Sequence, residues 1–476
     1  MAYRYGDRYQ TQFFPPSIEE YVAKDDPVRV YDAFVNALDL KALGIKSDSS
    51  QPGCPAYNPS AMVKLMTYSY SYGWRASRKI ERAEHHNISF IWLMGGLKPD
   101  HKTIARFRSD NKEALANILG QCARLCIKLN LIAGNTLFID GSKIRANASI
   151  GATRTREKCE KELIAIDKRI QDILREAETI DNNEANDPSL VKIDEELKNQ
   201  DVLKSKIENL LSEMKDQNKT KLNMTDHECC AFKSRQGKHA GYNAQIAVDD
   251  KHGFIVASDV VNENTDINQF SRQLDNANDV LDEPCKTACA DAGYINYKEL
   301  RGPVKKDITV IVPSTKQAND KEVKRFEKEN FTYDETEDNY ICPTGNKLIF
   351  RKERKDKNVR VYRTEKNGKI CRACAFYKEC TNSKHGREIH RYLDEKFREQ
   401  IAEQYKQPYG RAVYAKRKER VELPFGHIKR NLGAGHFLLR GIKGAKAEMS
   451  LLASCFNVRR MITLMGVTAL VEKLAG

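Results

Sequence analysis

Three acids stand at matched places in this chain. Asp140 closes the apolar run Thr136-Leu137-Phe138-Ile139-Asp140 ahead of the small pair Gly141-Ser142, and Asp291 closes Thr287-Ala288-Cys289-Ala290-Asp291 ahead of Ala292-Gly293. Both runs read as short strands, and an acid at a strand end of an α/β sheet lies where ligands bind. The third acid, Glu422, falls in a charged helical stretch, with Lys429 seven residues on, two turns later and on the same helix face. Carboxylates from three separate elements supply the hard oxygen ligands that hold two divalent cations, a pair able to activate water or a 3′ hydroxyl for displacement at phosphorus. The chain has 66 acids, and one alone is more often solvated or capping, so the case rests on the three together.

A second donor set is sulfur. Thirteen cysteines, odd in number and mostly scattered, fit reduced thiols rather than a disulfide framework. Four are grouped: Cys342, in the knuckle-like turn Cys342-Pro343-Thr344-Gly345, with Cys371, Cys374 and Cys380. A C-x-x-C pair with two further cysteines suits a closed, structural Zn²⁺ site, with His385 and His390 as weaker substitutes; free thiols are the plain alternative. Asp226-His227-Glu228 lacks partner spacing for a metal and reads as a loop.

The elements that must position these groups change character along the chain. Up to about residue 130 the pattern is helical: Asn58-Pro59-Ser60 starts a helix whose face carries Met62, Leu65, Met66, Ser69 and Tyr72, a second covers 77–86, and a third runs from Asp100 through Ile104 and Phe107 toward Ile118. Tyr68, Tyr70, Tyr72 and Trp74 interleave with Arg75, Arg78, Lys79 and Arg82. That mixture suits base stacking and phosphate contact, or simply an amphipathic helix with a solvated basic face. After Gly134 strands take over, with a hairpin over 241–261, a helix over 268–281 and a strand at 308–312, which together predict a mixed α/β sheet. Between Thr155 and Lys221, Leu163, Ile166, Ile170 and Ile173 lie on one side of the turn-forming segment 181–188, and Ile193, Leu197, Ile207, Leu210 and Met214 on the other. This predicts an inserted helical hairpin, structural or dimerising.

Charge points to the partner. Lys and Arg number 80 against 66 acids, a net +14 with a pI near 9.0, which favours a polyanion. Between Arg411 and Arg460, twelve Lys and Arg face three acids, so much of the excess surrounds Glu422 as a phosphate-holding surface. The 476 residues exceed one ordinary domain, and the 40% hydrophobic content excludes global disorder. No apolar run approaches the roughly 20 residues of a membrane span, and the first residues do not form a signal peptide. A cytoplasmic protein is expected.

The words Phe138-Ile139-Asp140-Gly141-Ser142, Gly241-Tyr242-Asn243-Ala244-Gln245, Ala290-Asp291-Ala292-Gly293-Tyr294 and Arg417-Lys418 through Val421-Glu422 to Lys429 occur in that order. Asn58-Pro59-Ser60 and the segment from Asp100 to Arg108 precede them, and Leu439-Arg440-Gly441 and Asn457 follow. Taken together they resemble the DDE transposases of bacterial insertion sequences over nearly the whole chain. The resemblance implies an α/β fold in which an RNase H-like mixed-sheet catalytic core is combined with an InsH-like, all-helical N-terminal domain that binds DNA. The expected parts are 1–130 for the helical domain, 131–154 with 222–316 for the core, 155–221 for the hairpin insertion, 317–393 for a basic cysteine-bearing insertion, and 394–476 for the C-terminal helices.

The resemblance also implies roles. Asp140, Asp291 and Glu422 would be the catalytic triad binding two Mg²⁺ or Mn²⁺ ions, with Asp140 bridging both. Related enzymes carry Tyr, two residues, Arg, three residues, Glu, six residues, Lys. Here Tyr414, Arg417, Glu422 and Lys429 keep the first and last spacings, but four residues separate Arg417 from Glu422. Either Lys418 takes the arginine's place or the turn tolerates the shift. These residues and Arg440 would hold DNA phosphates. The implied partners are double-stranded DNA, as terminal inverted repeats and target, and a second copy of the chain in a homodimer at the nucleoid. The implied activity is strand cleavage and transfer; the alternatives are a catalytically silent repressor and an RNase H-like nuclease.

Overall fold

The computed structural model describes residues 17–45, 56–181, 189–234, 237–319, 322 and 324–475. The helical periodicities of the first part become α1 (Val28–Asn36), α2 (Pro59–Ser71), α3 (Ser77–His86), α4 (Ile88–Leu93), α5 (His101–Asp110) and α6 (Lys112–Lys128). Asn58 caps α2 by accepting from the Ser60 N–H at 2.8 Å, and Asp100 caps α5 by accepting from the Thr103 N–H at 2.7 Å, each satisfying a donor that the first helical turn leaves open. The helix expected to run on toward Ile118 stops at Asn111, whose side chain donates back to the Phe107 carbonyl at 2.9 Å, and α6 begins anew.

Of the interleaved aromatics, Tyr68 and Tyr70 are not free to stack on bases, whereas Tyr72 is exposed. Tyr68 and Tyr70 are buried, Tyr68 packs on Tyr31 and Phe90 at ring separations of 5.3 and 4.8 Å, and Trp74 stacks on Phe90. The reason is that α2 is enclosed on nearly every side, so even Thr67, Ser69 and Ser71 are buried.

The strand segment begins with β1 (Thr136–Arg145) and continues through β2 (Thr153–Thr155), the helices α7 (Arg156–Asp181) and α8 (Ser189–Asp216), then β3 (Lys221–Asn223), β4 (Cys230–Ser234), β5 (Gly237–Asp249), β6 (Ile255–Val261), α9 (Phe270–Asn278) and β7 (Thr287–Cys289). Next come α10 (Tyr297–Lys305), β8 (Thr309–Ile311), α11 (Thr315–Ala318), β9 (Thr332–Asp334), β10 (Asn339–Ile341), β11 (Lys347–Arg354), β12 (Val359–Thr364), α12 (Lys369–Arg372), α13 (Tyr377–Cys380) and β13 (Glu388–Tyr392). The chain ends in α14 (Glu395–Lys406), α15 (Pro408–Gly426), α16 (Gly441–Met465) and α17 (Val467–Ala475).

These elements form two compact units, one of residues up to Ala288 together with those from Arg417 onward, the other Cys289–Lys416. In the first unit β5 is the spine. It pairs antiparallel with β1 along one edge, from Leu137↔Asp249 to Arg145↔Gly241, and with β4 and β6 along the other. Its residues from Ala240 to Asp249 are all buried, as expected of a strand covered on both faces. Helix α16 runs through the same core, burying Met449, Leu451, Leu452, Cys455, Phe456 and Val458, and Asn457 bonds both backbone groups of Ile255 on β6 at 2.9 and 2.8 Å. In the hairpin, Cys159, Ile166, Ile207, Leu210 and Met214 form a separate apolar seam with Leu222; the expected turn at 182–188 lies outside the described residues. The second unit holds a five-stranded antiparallel sheet in the order β13-β12-β11-β10-β9 around Phe331, Tyr340, Leu348, Tyr362 and Ile389.

Candidate functional site

Asp140 does not close its strand. It lies in the middle of β1, opposite Ile246, and the strand continues to Arg145. The alternation that ends in apolar terms at Ile139 continues in hydrogen-bonding terms, because Gly141 to Arg145 pair residue by residue with β5. Around Asp140 the first unit gathers cations. Arg417 Nη1 lies 3.6 Å from Asp140 Oδ1, and Lys429 Nζ donates to Ser142 Oγ, two residues along β1, at 2.5 Å. Lys143 adds a third cation, with its ammonium 3.7 Å from Asp266 Oδ1.

Burial pushes both lysines below the ordinary lysine range. For Lys429 desolvation is the leading cause, Asp140 opposes it, and Lys143 adds to it by like-charge repulsion. For Lys143 desolvation leads again, with Asp266 foremost among the carboxylates that oppose it. Asp266 is itself held firmly: Asn243 Nδ2 and Gln245 Nε2 each donate to its Oδ1 at 2.7 Å. It sits directly over Gly141, where a β-carbon would come within 2.6 Å of Asp266 Oδ1. The glycine after Asp140 is thus required by close approach.

The α15 segment delivers Arg417, Glu422 and Lys429 differently. Val421, Phe425 and Ile428 face the core. Arg417 is close to that stripe and turns inward, whereas Lys418 and Glu422 are exposed. Pro424 lacks an amide hydrogen and removes one helical rung, and three residues later the helix widens into a π turn, His427–Asn431, closed by Leu432 N–H donating to the His427 carbonyl at 3.1 Å. Lys429 belongs to that widened turn, so it is half-buried while Glu422, on the same flank, stays in solvent. His427 is held below the usual histidine range by burial and by Arg459, and its ring meets Phe456 edge-on at 5.5 Å.

The remaining expected site residues are distributed. Asp291 opens the second unit, two residues past β7, where its Oδ1 accepts from the Gly293 N–H at 2.8 Å. Tyr414, also in the second unit, packs edge-on against Tyr405 at 5.2 Å. Arg440 is exposed and donates to the Asn147 carbonyl at 3.2 Å. Cys342, Cys371, Cys374 and Cys380 line one cavity of the second unit with Phe331, Leu348 and Phe376. Two of their sulfurs accept backbone hydrogen bonds, Cys342 from Asn346 at 3.3 Å and Cys371 from Arg387 at 3.5 Å. His390 pairs instead with Glu388. Among the described residues, no group of three or more His, Cys, Asp or Glu stands close enough to hold an ion as placed. Sequence reasoning missed Lys143 as a site residue and missed Asp266 altogether. The signal for both was the word Gly241-Tyr242-Asn243-Ala244-Gln245, whose two amides bind Asp266.

Residues 341–462 match the family model described as a transposase DDE domain, and residues 16–110 match a transposase domain, DUF772. No curated protein matches the chain. The cryo-EM structure of a piggyBac transposase synaptic complex with hairpin DNA aligns over 95% of this chain and 79% of its own, with 9% identity and a TM-score of 0.33, too low to establish a shared fold.

Proposed function

We propose, from the premise that this chain is a DDE transposase carrying both a transposase DDE domain and a DUF772 domain, that it cuts and joins DNA at the ends of an insertion sequence through Asp140, Asp291 and Glu422. The observation that carries the proposal is the convergence of Arg417, Lys143 and Lys429 on the strand of Asp140, two of them from the segment that matches the DDE domain. Three carboxylates are a donor set of the hard oxygen type that Mg²⁺ or Mn²⁺ takes. Two such ions, when bound, would activate the attacking oxygen and stabilise the leaving one.

The chain's own residues account for the rest. Lys429, fixed through Ser142, presents a positive charge beside Asp140 for a nonbridging phosphate oxygen; Arg417 holds the Asp140 carboxylate in orientation; exposed Lys418 and Arg440 extend the cationic track along the duplex. Water serves as nucleophile for cleavage and the freed 3′ hydroxyl for joining, so one site supports both steps. Terminal inverted repeats and target DNA are the proposed partners. Holding two ends together calls for a homodimer, with the α7–α8 hairpin as its contact. We read the fold as an RNase H-like core divided at the boundaries expected from the sequence, and the protein as cytoplasmic at the nucleoid. No helix among the described residues is long and apolar enough to cross a membrane.

The four cysteines are assigned a structural Zn²⁺. All four cysteines line one cavity of the second unit, and side-chain closure on the ion would complete the set. Elemental analysis finding less than about half an equivalent of zinc per chain would exclude it.

The deciding experiment is a nicking assay on the element's own termini. Wild type should cut in Mg²⁺ and Asp140→Ala should bind without cutting. Wild type that binds the ends but never cuts in Mg²⁺ or Mn²⁺ would leave the silent repressor, and cleavage without joining would leave the nuclease.

A further inference from the structure

At the C-terminal end of β1, Arg145, Ser149, His239 and His436 line a cavity of about 360 Å³ in the first unit, together with small residues such as Ala146 and Ala240. Its walls are pinned through the backbone. The Ala146 N–H donates to the Ala240 carbonyl at 2.9 Å, and the loop after the π turn lies against the strand as a parallel bridge between Arg145 and His436. The Arg145 N–H donates to the Gly435 carbonyl at 3.3 Å, and the Phe437 N–H donates to the Arg145 carbonyl at 2.8 Å. From the other side, the Arg75 guanidinium holds the His436 carbonyl at 2.9 Å. The backbone at His436 is thus fixed twice, while the residue itself stays exposed.

The polar side chains around this cavity offer donors. Arg145 Nη2 stands 3.4 Å from His239 Nε2. A guanidinium only donates, so His239 Nε2 is the acceptor and braces the arginine. The His239 ring in turn rests on Phe232 at 5.8 Å. Ser149 Oγ accepts from the Gly151 N–H at 3.2 Å and has its own proton to give. The chain carries 66 acids, yet among the described residues no carboxylate lines this cavity. An anion entering it meets charge-assisted donors and no like charge on the wall.

A loop bridged to a strand end also serves to close an open sheet edge. Edge closure needs only backbone groups, and it gives the side chains of Arg145, His239 and His436 no reason to line one cavity. We propose that the cavity is a phosphate site, gripped by Arg145 and His436 with His239 bracing the arginine, and that the DNA backbone fills it. This inference rests on the DNA-processing function proposed above. A guanidinium matches two phosphate oxygens at once, and the volume falls in the range of about 300 to 1,000 Å³ usual for ligand sites. Contacts of this kind position a duplex and carry no sequence preference.

The test uses the full chain and two readouts. Imidazole NMR signals are followed while sodium phosphate replaces sodium chloride at constant pH and ionic strength, with His239 and His436 assigned by their loss in His239→Gln and His436→Gln. Both signals should move together in wild type and stay unchanged in Arg145→Gln. Binding to a random-sequence DNA duplex is then measured between about 50 and 200 mM salt. A double variant carrying Arg145→Gln and His436→Gln should lose one phosphate contact, making the log–log salt slope shallower by about 0.9. Signals that ignore phosphate overturn the site. Signals that respond to phosphate beside an unchanged slope assign the cavity to a free phosphate compound and overturn its filling by DNA. Wild type that binds no duplex overturns the functional reading itself, and the phosphate titration then still decides the cavity.

Discussion

The loop that follows Lys429 should depend on one buried ion pair. Arg75 Nη1 lies 2.8 Å from Glu448 Oε1, with side chains 5% and 0% exposed. The guanidinium also donates to the carbonyls of His436 at 2.9 Å and Gly433 at 2.5 Å. On the other side, Glu448 Oε2 accepts from the N–H groups of Leu438 and Leu439 at 2.7 and 3.1 Å. Glu448→Met would leave a guanidinium without its counter-charge and two amides without an acceptor. Breaking a desolvated pair costs about 3–5 kcal/mol, whereas replacing both partners by apolar residues is often close to neutral. Chemical denaturation should therefore show Glu448→Met and Arg75→Met each losing that amount. The double variant should lose much less than the sum, a coupling of at least about 1–3 kcal/mol. Nicking should fall with the single variants, because the loop from Leu432 to Arg440 would lose its anchor. A cost below about 1 kcal/mol for Glu448→Met, the value of a surface pair, or additive costs in the double variant, would refute the reasoning.

Further outcomes follow from the same geometry. Lys429→Met should lower strand cleavage by on the order of 10²–10³-fold, as for other transition-state charge contacts. Its melting midpoint should be unchanged or higher, since a desolvated ammonium is removed. Glu84 is fully buried with neither oxygen bonded, and burial, aided by Glu81, pushes its carboxyl up to about 8. The folded form then holds a proton that the unfolded chain releases near pH 4.5, so stability should fall as pH rises from about 4.5 to 8 and level off above that. Glu84→Gln should remove this slope, which denaturation midpoints at pH 5 and pH 8 would show. Gly141→Ala should cost about 1–3 kcal/mol by overpacking against Asp266 and Gln245, seen as a lower midpoint, with nicking reduced through displacement of Asp140.

What the sequence could reveal depended on whether the signal was local. The caps at Asn58 and Asp100, the helix Ser77–His86 and the acid on β1 are written in neighbouring residues, and each is found in the fold. The strand through Asp140 was read too short, because polar Ser142 and Lys143 look like a turn until β5 pairs with them. Tyr68, Tyr70 and Arg75 looked like a DNA surface because composition does not say which side of a helix α16 will cover. The choice between Arg417 and Lys418 likewise needed the helix phase, which turns Arg417 onto Asp140 and Lys418 into solvent. Asp266 carries no motif of its own; its partners are Asn243 and Gln245, some twenty residues away in the chain.

The first unit is closed by residues that follow the second unit in the sequence. Arg75, Asp140 and β5 all precede the excursion from Cys289 to Lys416, while Arg417, Lys429 and Glu448 come after it. During synthesis the whole second unit emerges while the first still lacks α16, and the guanidinium of Arg75 has no counter-charge from Glu448 until residue 448 has emerged. A chain that stops before residue 417 therefore has neither Arg417 nor Lys429 beside Asp140, and lacks the helix that stabilises its core. The surroundings of Asp140 and the core of the first unit therefore assemble only once residues 417–465 have been made.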